Sequence, residues 1–199
     1  MYVSTEHFLV WGVAALAVIL VVATATDIRQ RRIPNLLVLL ALSLGVLLNG
    51  LGPVALEGSG GLFSHSPGAL GVGSAALGAF TALALFLPLY LLRATGAGDV
   101  KLMAGIGSFV GPASAVNLVL FVLVCGGVLS IVRMLWAGST RRVMANVGAL
   151  LGGVWLGAGG HFDPSTQSAD RMPYALAIAA GVLAYGVWIF SGLRPILDF

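Results

Sequence analysis

Seven carboxylic acids occur in the 199-residue chain: Glu6, Asp27, Glu57, Asp99, Asp163, Asp170 and Asp198. Five fall in polar stretches or near the termini, where solvation accounts for them. Asp27 and Asp99 are different. Each stands at the edge of an apolar run, in the strings Ala-Thr-Asp27-Ile-Arg-Gln-Arg-Arg-Ile-Pro-Asn35 and Thr-Gly96-Ala-Gly98-Asp99-Val-Lys101-Leu-Met. An ionisable group at or near membrane depth is costly, so by default it marks a functional site. Two carboxylates sharing a site resist ionising together, so one keeps a proton while the other is free. The pair then holds a proton donor and a base able to activate water, the logic of an aspartic protease dyad.

The neighbouring residues refine this expectation. Gly96 and Gly98 let the backbone ahead of Asp99 bend and a peptide approach closely. A helix starting at Asp99 would favour its ionised form through the helix dipole, which makes Asp99 the base and Asp27 the proton-sharing partner. Plainer roles exist for each acid alone. Asp27 could be an interfacial acid balanced by Arg29, Arg31 and Arg32, and Asp99 an ordinary helix cap. The matched depth of the two and the adjacent glycines favour a joint site. Lys101 either snorkels to the headgroups or tunes a carboxylate. Pro34 suits the first turn of a helix, and Asn35 is left outside the site. His7, His65 and His161 fall on different loops and on both sides of the membrane, so no metal or cofactor is expected. Cys125, the one cysteine, reads as a small buried hydrophobe.

The elements that must hold the acids follow from composition. Hydrophobic residues make up 59% of the chain and charged residues 9%, with mean hydropathy +1.03; a soluble domain carries about 25% charged residues. Apolar runs cover roughly 8–26, 34–51, 69–92, 100–111, 113–136 and 172–192. Most are long enough for a hydrocarbon core of about 30 Å. An all-α polytopic bundle of six transmembrane helices, forming one domain in the lipid bilayer, is expected. The first run has no Lys or Arg before it and three Arg just after, which argues against a cleaved signal and puts the N-terminus outside. Nine of the ten Lys and Arg then lie on the cytoplasmic side, with only Arg194 outside, as the positive-inside rule requires. Asp27 ends the first helix and Asp99 opens the fourth, so packing those two helices together would bring the acids close.

Two stretches are less regular. The run 100–111 is short and meets Gly111-Pro112, which suggests an incomplete or tilted span turning tightly into the next helix. Residues 139–156 carry an apolar stripe, Val143, Val147, Leu150 and Val154, beside Arg141 and Arg142; an interfacial amphipathic helix fits better than a seventh span. The net charge of +3 sits at helix ends rather than in an aromatic-lined patch, so nucleic acid is not an expected partner. A small transporter or channel using the two acids as a proton or cation relay is the competing class, disfavoured by the lack of an internal repeat.

The two acidic strings resemble the boxes of the type IV prepilin peptidase family, membrane aspartyl proteases with a Gly-x-Gly-Asp motif. Asp27-Ile-Arg-Gln-Arg-Arg-Ile-Pro-Asn35 matches the first and Gly96-Ala-Gly-Asp-Val-Lys-Leu102 the second. Arg171-Met-Pro-Tyr-Ala175 resembles the Pro-containing segment before the family's last helix. The resemblance implies an endopeptidase of the bacterial inner membrane with its active site near the cytoplasmic face. Its partner would be a prepilin or pseudopilin whose short basic leader is removed after a Gly, at the edge of the substrate's apolar helix. The larger enzymes of this family carry an N-terminal cysteine-bearing insertion and also methylate the new N-terminus. The chain is more similar to the short, peptidase-only branch of tight-adherence (Flp-type) pili, which implies no methyltransferase activity. Presenilin-like enzymes share the Gly-x-Gly-Asp idea, but the span spacing and basic first box are closer to the prepilin branch. Asp163 and Asp170 are candidates for attracting the basic leader.

Overall fold

In a computed structural model, the described residues are 3–53, 61–63, 67–92, 94–136, 173–193 and 196–197. They form six α-helices and no strand: α1 Val3–Gln30, α2 Asn35–Leu51, α3 Gly71–Leu91, α4 Ala97–Val110, α5 Pro112–Trp136 and α6 Tyr174–Phe190. The apolar runs and the helices agree within a few residues, and the fold is an all-α membrane bundle. Stretches of α1, α3 and α5, His7–Gln30, Gly71–Leu91 and Pro112–Trp136, are long and apolar enough to cross a membrane; α2 and α6 are shorter apolar helices. The expected interfacial helix at 139–156, together with Asp163, Asp170 and Arg171, lies outside the described residues.

The helix ends carry readable chemistry. Asp27 lies inside α1, one turn before its end. The helix continues to Gln30 and closes where Arg31 takes a left-handed φ of 53° and its N–H bonds the Asp27 carbonyl at 2.8 Å. Pro34 caps α2 with extended backbone (φ −61°, ψ 133°). Gly111, at φ 79°, separates α4 from α5, and Pro112 opens α5, where its missing N–H costs nothing.

Helix α4 is the axis of the bundle. It packs against α2, α3, α5 and α6, and Leu102, Met103 and Ile106 are fully buried. Small residues permit this approach, as is usual where lipid supplies no hydrophobic drive between helices. A Cβ on Gly107 would stand 2.8 Å from Ala82 Cβ and collide with the Gly78 carbonyl. A Cβ on Gly105 would stand 2.8 Å from Ala41 Cβ. At 14 residues, α4 is only about 21 Å long, short of the roughly 30 Å core.

A turn from the α2–α3 connection fills the missing depth. Gly61 and Gly68 form an antiparallel bridge, and the Leu62 N–H bonds the Phe109 carbonyl at 3.3 Å, at the end of α4. Leu62 and Phe63 are buried, and Phe63 meets Tyr185 of α6 edge-on with ring centroids 5.8 Å apart. Asn49 knots this end together. Its amide nitrogen donates to the carbonyls of Gly45 (3.2 Å), Ser108 (2.8 Å) and Phe109 (3.3 Å), and its oxygen accepts the Leu70 N–H at 3.0 Å.

Candidate active site

The opposite end of α4 holds the acids. Asp99 is the third residue of that helix, and its Oδ2 accepts the Gly96 N–H at 2.9 Å, so the carboxylate caps its own helix. Helix N-termini leave such N–H groups without intrahelical partners. The N-cap itself is Gly96, so Asp99, expected as the capping residue, instead holds the cap's N–H from the third helical position, and that bond does not exhaust the residue. Asp99 is only 7% exposed, and it lies near enough to Asp27 to feel its charge.

Asp27 reaches the same place by a route the sequence reading did not anticipate. Helix α1 packs mainly on α6 and α2 rather than on α4. Helix α6 begins at Pro173, which has no side chain able to cap it. Asp27 Oδ2 supplies that cap from another helix, accepting the Ala175 N–H at 3.1 Å across 148 residues of sequence. One turn earlier on α1, the Thr24 hydroxyl donates to the Ala175 carbonyl at 3.5 Å. The start of α6 is thus a third wall of the site. Tyr174 stands in the same wall, close enough to Asp99 to feel its charge, with its ring 6.1 Å from that of Phe86. Arg171-Met-Pro-Tyr-Ala175 was singled out by resemblance only; no spacing rule gives its role, because a backbone N–H leaves no signature in side-chain types.

The remaining expected residues separate by function. Arg29, Arg31 and Arg32 are exposed, and the hydrogen bond recorded at the Asp27 carboxylate goes to the α6 backbone rather than to an arginine. Gly96 supplies the N–H that holds Asp99. Gly98 gives close approach of a different kind: a Cβ there would sit 3.2 Å from Ile33 Cβ, so the two acidic strings touch at this glycine. Lys101 is exposed and donates from Nζ to Asn35 Oδ1 at 3.3 Å. It ties α4 to the start of α2, and Asn35 is its partner rather than a carboxylate's. An apolar groove lined by Phe8, Trp11, Leu44 and Leu51 lies toward the other ends of α1 and α2, away from the acids.

The arrangement is two buried carboxylates, each fixed by a backbone N–H at a helix N-terminus, from chain segments 72 residues apart in a bundle otherwise nearly free of charge. Such a pair can hold one proton between its members and polarise a water. Residues 14–131, which include both acids, match the type IV leader peptidase family. The chain is 31% identical over 162 residues to a prepilin leader peptidase/N-methyltransferase of Pectobacterium carotovorum subsp. carotovorum, an alignment covering 76% of this chain and 50% of that protein. The chain thus spans about half the length of this curated relative. No solved structure matches it. With more than half of its residues inside the family match and both acidic strings within it, the chain belongs to the type IV leader peptidase family.

Proposed function

We propose that the protein is an aspartic endopeptidase that cuts the short basic leader from prepilin-type precursors, with Asp27 and Asp99 as the catalytic pair. The observation that supports the reading is that these two acids, both within the segment that matches the family, are buried and near enough for the charge of Asp27 to act on Asp99. In this reading one carboxylate takes a proton from a water while the other, protonated, donates to the scissile carbonyl oxygen. The water oxygen bonds to the carbonyl carbon, the C–N bond breaks, and the departing amine takes up the proton. Neither acid forms a covalent bond to the substrate. Gly96, Gly98 and Lys101 support the motif: the first two bring backbone close to the carboxylate and to Ile33, and the third ties α4 to α2.

The charge pattern supports a location for this site at the cytoplasmic face of a bacterial inner membrane: Arg29, Arg31 and Arg32 sit at the acid end of α1, and the positive-inside rule favours such an end in the cytoplasm. A substrate with a basic leader and an apolar helix would present its junction at this depth. The reading is confined to hydrolysis. A relay of protons or cations would need ionisable groups along the bundle, whereas among the described residues the other buried polar side chains with hydrogen bonds, Asn49, Ser108 and Asn117, are uncharged and bound to backbone.

Co-expression with a candidate prepilin, followed as a size shift on a gel, tests the reading. Asp27→Asn and Asp99→Asn are each expected to abolish the shift. Processing that survives either change removes the dyad.

A further inference from the structure

Among the described residues, the buried polar side chains find hydrogen-bond partners with one exception. Asn49, Ser108 and Asn117 bond to backbone carbonyls, and Asp27 and Asp99 each accept a backbone N–H. Among the described residues, the single buried side-chain oxygen or nitrogen without a partner is Thr95 Oγ1. An unpaired buried hydroxyl is destabilising, so its presence calls for a reason.

Its position supplies one. Thr95 immediately precedes Gly96, the residue whose N–H holds Asp99 Oδ2 at 2.9 Å. One peptide unit separates that N–H from the Thr95 Cα, which therefore lies within about 5 Å of the carboxylate oxygen. Ala94, Gly96 and Ala97 are exposed while Thr95 is 9% exposed, so of these four residues beside the carboxylate Thr95 is the one withdrawn from the surface. Its hydroxyl can both donate and accept.

We propose that Thr95 is a substrate-binding residue whose hydroxyl hydrogen-bonds the backbone of an extended peptide beside the scissile bond. The partner class is a peptide amide: it is neutral, presents both a donor and an acceptor, and enters just where Gly96 and Gly98 leave the backbone without side chains. This deepens the hydrolytic reading and rests on it. The hydroxyl is unpaired and closed to solvent in the folded chain, so a peptide entering past Gly96 must uncover it before the bond forms.

The test uses the full-length protein in detergent and a synthetic peptide with a basic leader, a Gly and an apolar helix. Thr95→Val keeps the shape and removes the hydroxyl; Thr95→Ser keeps the hydroxyl. Val is expected to raise KM about tenfold, the worth of one hydrogen bond of about 1.4 kcal/mol, with kcat changed less than threefold. Its melting temperature should equal or exceed the wild type's, because an unsatisfied buried group has been removed, and Ser should restore KM. A Val variant with KM within twofold of wild type overturns the proposal. So does a KM increase that Ser fails to restore, or one accompanied by a fall in melting temperature. A separate arm measures peptide binding to Asp99→Asn with and without Thr95→Val, where several-fold weaker binding is expected and equal binding overturns the role. Cleavage by Asp99→Asn itself would sink the dyad while leaving this binding comparison intact.

Discussion

Replacing Asp27 separates the catalytic role proposed for its carboxylate from the cap that it provides at the start of α6. Asp27→Asn keeps an oxygen able to accept the Ala175 N–H, now 3.1 Å from Oδ2, but removes the charge. Asp27→Ala removes the acceptor and leaves a buried N–H without a partner at a helix start where Pro173 offers no cap. A hydrogen bond to a charged acceptor contributes about 1.5–3 kcal/mol, and a neutral one about half of that. Loss of an N-cap costs about 0.5–2 kcal/mol. Asp27→Asn should therefore lower stability by no more than about 1 kcal/mol, and Asp27→Ala by about 2 kcal/mol. Both should lose processing by at least about 100-fold, since a positioned acid or base contributes at least that much. Stability is measured by denaturant or thermal unfolding in one detergent, and activity by gel shift of a prepilin-type substrate. Equal stability of the Asn and Ala variants would refute the cap. Normal processing by the Asn variant would refute the catalytic role.

Other perturbations follow from the same contacts. The processing rate should be bell-shaped in pH, falling at low pH as the base is protonated and at high pH as the shared proton is lost; a single-sided profile would argue against a shared proton. Gly107→Ala should cost about 1–3 kcal/mol through overpacking against Gly78 and Ala82, whereas Gly73→Ala, which meets open space, should be nearly neutral in the same melt. Asn49→Leu should destabilise by about 2 kcal/mol or more, since it strands the Leu70 N–H and the carbonyl of Ser108. Lys101→Gln should change stability by less than about 1 kcal/mol, because its bond to Asn35 is exposed, and processing should stay within about threefold of wild type.

What could be read from the chain before folding was mostly position along one axis. Runs of apolar residues, a rise of about 1.5 Å per residue and the placement of arginines give each helix a length and a direction. They also give Asp27 and Asp99 a shared depth. The acids themselves were legible because a buried charge in a nearly uncharged bundle has few innocent explanations. The short α4 was visible too, in Gly111-Pro112.

Lateral order was not legible. Lipid tails and protein interiors are equally apolar, so hydropathy cannot say which helix lies beside which. That choice rests on close contacts such as Gly78 with Gly107, whose partners become defined only when the surfaces meet. Tertiary structure alone therefore placed α6 against α1, gave Asp27 its backbone partner at Ala175, and brought Leu62 and Phe63 in over the end of α4. It also left Thr95 buried with its hydroxyl unpaired. The sequence by itself determined which groups could do chemistry and at what depth; the packing of small residues decided which backbone atoms stand around them.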